Sequence, residues 1–404
     1  QDWLDRPQFK EIETLPEYFK GRGYGTFASG KLHHGDATYT LDGGTREWTE
    51  HNHAVLKKYP YAGSVKQEDK VWWGNPETNK EMAAPTDDPI EELNDTATAN
   101  YGVDVLRRTH DKPFFLGVGF HRPHMPFVSP REYWDLYDPA KLVLPEVKDD
   151  DLADVPWAGR GNARLGDDLA IRDRGNRAEI IRGYYACVSY IDALVGRVLD
   201  ALDASPYADN TVVAFWADHG WHLGEKRSYR KFSLWEEAAR TPLIVADPRQ
   251  TATRGVKCDA PVTLHDLYPT LAALCGLDAP THVDGTDFSP LLANPTMPWE
   301  RPASTVWGRG DYALRTQRWR YIRYFDGTEE LYDHDADPLE WENVASNPEH
   351  ARLKAELARW FPKTSVPNLQ PAILHSMADE DEPDLQGIQK DWAEYQKKFK
   401  VPLE

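Results

Sequence analysis

Short apolar runs alternate with longer helical stretches along most of the chain. The runs are Gly25–Gly30, Phe114–Gly119, residues 212–217 and Leu243–Ala246. Between the second and third runs, apolar residues recur in steps of four and three, which places them on one face of a long helix. They are Ile180, Tyr184, Val188, Ile191, Val195, Val198 and Leu202. This alternation predicts an α/β fold with a mixed, mainly parallel sheet sandwiched by helices.

The pattern changes near residue 303, where closely spaced strands replace the alternation. Strands are predicted over residues 312–316, 319–324 and 330–332. A helix over residues 348–361 would pack on this antiparallel sheet. We therefore predict two domains, an α/β domain over residues 1–300 and a smaller C-terminal α+β domain over residues 301–404.

The composition is that of a globular protein. With 404 residues, the chain exceeds the roughly 250–300 residues at which a single hydrophobic core stops growing, which favours two domains. Hydrophobic residues make up 40% of the sequence and aromatic residues 12%. Disordered chains are poor in both, so we expect a packed core.

The net charge of −19 narrows the classes of partner. It arises from 47 basic and 66 acidic residues, and such an excess of negative charge repels a nucleic-acid backbone. No uninterrupted apolar run approaches the ~20 residues of a membrane-spanning helix. We expect no nucleic-acid partner and no membrane association, and the pattern indicates no oligomeric state. An anionic substrate would need a local basic pocket.

Cysteine content and the start of the chain bear on location. Cys187, Cys258 and Cys275 lack the spacing of a metal or redox motif, so we expect buried free thiols. Such sparse use is compatible with the cytoplasm or the periplasm and argues against a disulfide-stapled module. The chain opens with Gln1 instead of a signal peptide, and a first residue other than Met suggests processing. We predict a periplasmic or secreted protein.

A carboxylate and an imidazole follow the third apolar run directly. Asp218 and His219 are adjacent, and ligands of open α/β sheets bind at the carboxyl ends of the strands. Together these side chains could hold a cation that polarises a tetrahedral anion. The alternative is an Asp that caps the next turn beside a surface His.

Two further clusters follow the other early strands. His121, Arg122 and His124 lie in a proline-stiffened loop after the second run, where an imidazole could protonate a leaving oxygen. Lys31 and His34 follow the first run and offer a cation with a nearby imidazole. Each cluster alone is also compatible with a structural role.

A basic cluster over residues 225–231 stands out in this acidic protein. It ends at Lys231 and could supply the positive charge that an anionic substrate requires, although a solvated basic surface is the alternative reading. Taken together, Lys, His, Asp and His side chains at strand ends predict a site for an oxyanion ester.

At these residues the chain resembles the formylglycine-dependent sulfatases of the alkaline-phosphatase-like superfamily, and most of all the branch that includes iduronate 2-sulfatase. The resemblance extends from residue 14 to residue 333. The matching segments are residues 14–19, 30–31, 121–127, 184–199, 218–231, 240–244, 314–316, 319–321 and 330–333.

The resemblance implies a role for each matching residue. Asp218 and His219 would bind calcium, with magnesium as the alternative, while Lys31 and Lys231 would hold sulfate oxygens. His124 would be the general acid at the ester oxygen. The resemblance also implies that His34 orients the nucleophile. Four further residues would contact the substrate: His121, Arg122, Trp221 and His222.

One departure concerns the nucleophile. The family uses a formylglycine made from Cys or Ser in a Cys/Ser-x-Pro-Ser-Arg motif, and this sequence contains no such pentapeptide. The paired N-terminal aspartates that complete the family's metal site also lack a counterpart. We expect both in sequence upstream of Gln1.

Three functions remain open at this point. The resemblance implies hydrolysis of a sulfate ester on a carbohydrate, with a uronate 2-O-sulfate suggested by the branch. The superfamily also contains phosphodiesterases and phosphonate hydrolases. The absent nucleophile motivates a third function, a non-catalytic protein that binds sulfated glycans.

Overall fold

The structure is a computed structural model, and it describes residues 12–33, 46–52, 65–74, 81–308 and 310–363, together with Ala393 and Lys397. The helices within these residues are α1 (Leu15–Gly21), α2 (Asn94–Arg107), α3 (Arg131–Trp134), α4 (Trp157–Arg160), α5 (Leu165–Arg174), α6 (Arg177–Asp203), α7 (Glu236–Ala239), α8 (Leu267–Leu274), α9 (Ser289–Ala293) and α10 (Ala351–Leu357).

The strands are β1 (Gly25–Gly30), β2 (Glu50–Asn52), β3 (Val71–Trp72), β4 (Met82–Thr86), β5 (Phe114–Gly119), β6 (Phe127–Pro130), β7 (Val213–Trp216), β8 (Leu243–Ala246), β9 (Ala303–Val306), β10 (Tyr312–Arg315), β11 (Trp319–Arg323) and β12 (Glu329–Asp333). Single 3-10 turns occur at Gln67–Asp69, Ile90–Glu92, Ala208–Asn210, Glu225–Arg227, Leu264–Asp266, Pro348–His350 and Ala358–Trp360.

The chain divides into two compact units. The first comprises Gln1–Leu144 and Arg174–Thr211, and the second comprises Pro145–Asp173 and Val212–Glu404. Residues between 212 and 300 therefore cluster with the C-terminal sheet. The predicted domain boundary at residue 300 stays a prediction.

A parallel sheet of order β2-β1-β5 organises the first unit. Strands β1 and β5 pair over their whole length, so that Gly30 lies opposite Gly119 at their carboxyl ends. A second sheet has the order β3-β4-β6, with β3 antiparallel and β6 parallel to β4. Two strands predicted from apolar runs, β1 and β5, are confirmed at the predicted bounds.

The long helix predicted over residues 180–202 is confirmed as α6, with a buried face that is shifted from the predicted one. Ile180 and Leu202 are buried as predicted, whereas Val188 is 43% exposed. The buried positions also include Gly183, Ala186 and Cys187. A Cβ atom at Gly183 would lie 2.7 Å from the Cβ of Ala83. Small residues lie on the part of α6 that faces the sheet because the helix approaches the sheet closely. A search for large apolar residues does not find these positions.

The second unit contains a two-stranded ribbon and a four-stranded sheet. Strands β7 and β8 pair antiparallel, and Leu243 and Val245 pack against Leu267 and Phe288. Phe215 and Ile244, which lie opposite each other in this ribbon, are 36% and 60% exposed.

The four-stranded antiparallel sheet has the order β12-β11-β10-β9 and confirms the sheet predicted after residue 303. One face packs on α10 and Phe361 through Leu314 and Leu331. The other face contributes Ile322 to a core cluster that includes Trp235. The observed architecture is therefore mixed α/β with a C-terminal antiparallel sheet, as predicted.

Two smaller expectations have different outcomes. Cys187 is buried as expected, but the expectation is wrong for Cys258, which is exposed, while Cys275 is partly buried. Among the described helices, none has both the length and the apolar character needed to cross a bilayer.

Candidate active site

In the first unit, Lys31 lies at the same sheet end as the histidine-bearing loop. Its backbone N–H donates to the carbonyl of Gly119 at 2.7 Å, directly after the last paired residues of β1 and β5. A Cβ atom at Gly119 would lie 2.0 Å from the Lys31 carbonyl oxygen. Glycine at position 119 is therefore required for this close approach.

The loop that follows β5, residues 120–126 (the His loop), is anchored by a carboxylate that the sequence did not reveal. Asp95, near the start of α2, is 6% exposed. Its oxygens accept the backbone N–H of His121 at 2.7 Å and that of Arg122 at 3.3 Å. Burial raises the pKa of Asp95, while Arg122 and these two N–H groups act in the opposite direction. Asp95 fixes where the loop leaves the sheet.

Arg122 is buried beneath the His loop. It is 5% exposed, and its guanidinium donates to the carbonyls of Val128 at 2.8 Å and His124 at 3.5 Å. These hydrogen bonds help to hold the turn together. Its role as a substrate contact stays a prediction.

His124 has one ring nitrogen committed to the loop. Its Nδ1 lies 2.7 Å from the carbonyl oxygen of Met125. A carbonyl only accepts, so Nδ1 carries the proton and Nε2 is the atom that can exchange one. The ring of His121 lies 5.1 Å from that of His124, centroid to centroid. The Nδ1 hydrogen bond orients the ring, and Nε2 can act as a general acid when the ring is in its protonated imidazolium form.

The cluster after β1 is only partly described. His33 pairs with the buried carboxylate of Glu47 at 2.7 Å between Nε2 and Oε2, which gives that imidazole a structural partner. His34, predicted to orient the nucleophile, lies outside the described residues, and its role stays a prediction.

In the second unit, Asp218 and His219 follow β7 as predicted. The His219 Nδ1 lies 2.8 Å from the carbonyl oxygen of Gly220, so that Nδ1 is the donor and Nε2 has the lone pair. That Nε2 lies 3.6 Å from Oδ2 of Asp218. A carboxylate oxygen and an imidazole lone pair directed at one region fit a shared cation.

Trp221 and His222 are both buried. His222 is fully buried, and its Nε2 lies 2.8 Å from the hydroxyl of Ser233. Burial lowers the pKa of His222 to about 3, so it is neutral at physiological pH. The predicted substrate contacts at these two residues stay predictions. Trp221 is 8% exposed and lies under the Lys231 ammonium, 5.3 Å from its ring centroid.

Most of the basic cluster is committed to buried ion pairs, contrary to the prediction that it supplies charge to a ligand. Lys226 pairs with Asp151 at 2.7 Å, Arg227 with Asp168 at 2.5 Å, and Arg230 with Asp167 at 2.5 Å. Lys231 differs from these three residues: its ammonium lies over the rings of Trp221 and Phe232.

One group of side chains has the spacing of a metal site among the described residues: Glu236, His334 and Glu340. Arg320 forms ion pairs with both carboxylates. The His334 Nδ1 lies 2.9 Å from a guanidinium nitrogen of Arg315, and the His334 Nε2 lies 2.9 Å from Oε1 of Glu340. Because arginines already neutralise the carboxylates and both imidazole nitrogens are used, we interpret this group as an ion-pair network.

The predicted site residues thus fall into two local sets. Lys31, His121 and His124 belong to the first unit, and Asp218, His219 and Lys231 belong to the second. Lys31, His121 and His124 follow β1 and β5, Asp218 and His219 follow β7, and Lys231 lies further along, between β7 and α7. Their convergence on one pocket, and their individual roles, stay predictions.

Comparison with known proteins supplies the family. A sequence model described as Sulfatase matches residues 4–277. The chain belongs to the sulfatase family. A second model, described as N-sulphoglucosamine sulphohydrolase, C-terminal, matches residues 224–366 of this sulfatase. The resemblance identified in the sequence is confirmed.

Individual relatives agree with this assignment. The sulfatase is 36% identical over 372 residues to a sulfatase of Formosa agariphila, a match that covers 90% of this chain and 71% of the relative. It is 29% identical to the iduronate 2-sulfatase of Mus musculus over an alignment of 443 residues, which covers 85% of this chain and 78% of the relative. Family and relatives identify the protein as a sulfuric ester hydrolase.

The fold is also found outside sulfatases. The structure of the phosphonate monoester hydrolase of Silicibacter pomeroyi aligns with a TM-score of 0.66 at 23% identity, over 86% of this chain and 79% of that chain. This likeness shows the α/β fold and does not decide which ester is cleaved.

Proposed function

We propose that this sulfatase hydrolyses sulfate esters on a carbohydrate, with a uronate 2-O-sulfate as the first candidate substrate. The orientation of His124 carries the proposal: its Nδ1 is held by the Met125 carbonyl, and Nε2 of the protonated ring could give the leaving alkoxide of a sugar sulfate the proton that it needs. Support for the substrate class comes from the iduronate 2-sulfatase relative.

Lys31 and Lys231 are proposed to bind the sulfate oxygens. The backbone of Lys31 is fixed at the carboxyl ends of β1 and β5, and the Lys231 ammonium lies over the rings of Trp221 and Phe232. In a protein with a net charge of −19, local cations are needed to bind an anionic substrate.

Asp218 and His219 are proposed to hold a divalent cation, with calcium preferred and magnesium as the alternative. The carboxylate suits a hard cation, and the imidazole adds one nitrogen ligand. Sulfatases generally use a metal ion and a formylglycine. Such a cation would neutralise charge on the sulfate oxygens.

The test uses the protein produced from its complete coding sequence, with mass spectrometry to establish whether a formylglycine is present. Sulfate release is measured on saccharides sulfated at different positions, and we expect the highest kcat/KM on a 2-O-sulfated uronate. An aryl phosphate diester and an aryl phosphonate monoester are the comparison substrates. Faster turnover of either comparison substrate would replace the sulfatase proposal with a phosphodiesterase or a phosphonate hydrolase.

Metal dependence is tested in the same preparation. Treatment with EDTA should abolish sulfate release, and calcium should restore it better than magnesium. Asp218→Asn should need a higher calcium concentration for half-maximal activity. Retention of full activity in EDTA by metal-free protein, verified by elemental analysis, contradicts the metal proposal.

A further inference from the structure

The segment between residues 224 and 231 (the basic loop) contains two consecutive residues in a conformation that side chains disfavour. Lys226 has a φ of 50° and Arg227 a φ of 53°. In this left-handed region Cβ crowds the backbone, so residues other than glycine, asparagine and aspartate are uncommon there. Such backbone persists only where the surroundings hold it in place.

Buried ion pairs provide that restraint. Lys226 and Asp151 are each 2% exposed, and Asp151 accepts both the Lys226 ammonium at 2.7 Å and the Lys226 backbone N–H at 3.0 Å. Arg227 and Asp168 are each 1% exposed and pair at 2.5 Å. Both aspartates belong to Pro145–Asp173 of the same unit. Side chains therefore fix the backbone at its strained point.

The strained point is linked to Lys231 by backbone hydrogen bonds. Gly224 N–H donates to Ser228 O at 2.9 Å, and His222 N–H donates to Arg230 O at 2.9 Å. The loop is thus a closed, hairpin-like segment whose far end is next to Lys231. Displacement of its strained turn would change the direction in which Lys231 leaves the loop.

We propose that Lys226 and Arg227 are positioning residues whose buried pairs with Asp151 and Asp168 set the place of the Lys231 ammonium for a sulfate group. This inference rests on the proposed function. The side chains of Lys226 and Arg227 are not proposed to contact the substrate. Their effect on turnover is transmitted through the backbone of the basic loop.

The test compares three variants of the full-length protein with a control. Arg227→Met removes the buried pair, Arg227→Lys keeps the charge, and Arg230→Gln loosens the part-buried end of the loop. The control Arg301→Gln breaks a different ion pair of the same unit, with Asp266 at 3.3 Å. For each variant we measure KM and kcat on a sulfated disaccharide, the melting temperature, and the rate of trypsin cleavage after Lys231, a site that every variant keeps.

We expect Arg227→Met to lower kcat/KM by about 100-fold, mainly through KM, and to speed trypsin cleavage within the loop. Arg227→Lys should show smaller changes in kcat/KM and in the rate of trypsin cleavage than Arg227→Met. Arg230→Gln should change both quantities in the same direction, less strongly than Arg227→Met. The control should lower only the melting temperature. If Arg227→Met fails to fold, Arg230→Gln and Arg227→Lys decide.

Two negative results have different meanings. Unchanged KM and unchanged loop cleavage in Arg227→Lys and Arg230→Gln, with normal wild-type turnover, would overturn the positioning proposal alone. Absence of sulfate release by the wild-type protein would overturn the proposed function, and the role of Lys231 with it.

Discussion

The His loop, which follows β5, and the basic loop, which lies between β7 and α7, both carry residues with a predicted role at the sulfate ester, but they are held by different means. The His loop is anchored by one buried carboxylate, Asp95, that accepts backbone N–H groups. The basic loop is anchored by buried side-chain pairs at Lys226 and Arg227.

This difference bears on which residues can change. Every residue except proline has an N–H, so the hydrogen bond from residue 121 to Asp95 does not depend on the side chain at residue 121. The basic loop depends on the identity of both partners in each pair. Substitutions should therefore be tolerated differently in the two loops, and the stability measurements among the four predictions below test this.

The largest expected effect separates the chemical roles of the two loops. His124→Gln should reduce kcat on a sulfated sugar by about 10²–10⁴-fold, because the leaving alkoxide loses its proton donor. The same variant should show a far smaller reduction of kcat on 4-nitrophenyl sulfate, because the leaving group of that substrate needs no proton. Lys231→Ala should lose comparable activity on both substrates. Equal losses for His124→Gln on the two substrates would remove the general-acid role.

The next effect is on stability and concerns the basic loop. Lys226→Met leaves Asp151 buried without its cation and should lower the free energy of unfolding by about 3–5 kcal/mol. Lys148→Met is the matched control, since the pair of Lys148 with Asp150 is exposed, and it should change stability by less than about 1 kcal/mol. Urea denaturation measures both. Similar values for the two variants would show that the buried pair is no anchor.

The corresponding change in the His loop is smaller. Asp95→Ala leaves two N–H groups without their acceptor and should cost about 1–3 kcal/mol of stability. Asp104→Ala, on the exposed side of the same helix, is the control. His121→Ala should leave the anchor intact, because alanine retains the N–H. A loss in His121→Ala as large as that in Asp95→Ala contradicts backbone anchoring.

The smallest effect is a pH dependence within the second unit. Burial lowers the pKa of His222 to about 3, against about 6.5 in the unfolded chain. The unfolded state therefore binds more protons as pH falls below 6.5, and stability is lost in that direction. Between pH 7 and pH 5.5 this loss should amount to about 1 kcal/mol. Thermal melts of His222→Gln should show a correspondingly smaller loss of stability between pH 7 and pH 5.5. If stability depends on pH as steeply in the variant as in the wild-type protein, His222 is not the source of the loss.

Much of the fold could be predicted from apolar periodicity. Strands β1, β5 and β8 coincide with three of the short runs identified in the sequence, and their bounds are as predicted. The face of α6 could be predicted only in part. Tyr184, on the predicted face, contacts Phe127 of the sheet, but Gly183, which lies close to Ala83, carries no hydrophobic signal.

The site was harder to predict because its supports are distant in sequence. Asp95 lies 26 residues before His121, and Asp151 lies 75 residues before Lys226. A run of basic residues indicates a ligand site and a set of ion pairs equally well. Only coordinates show that Lys226 and Arg227 have buried acidic partners.

The ribbon of β7 and β8 has a consequence for handling the protein. Phe215 and Ile244 face each other across the two strands and remain 36% and 60% exposed. Partly exposed apolar side chains on a short strand ladder favour self-association in concentrated solution. Ile244→Lys would add repulsion between molecules while keeping the backbone ladder, and it is the first substitution to try if preparations of this chain aggregate.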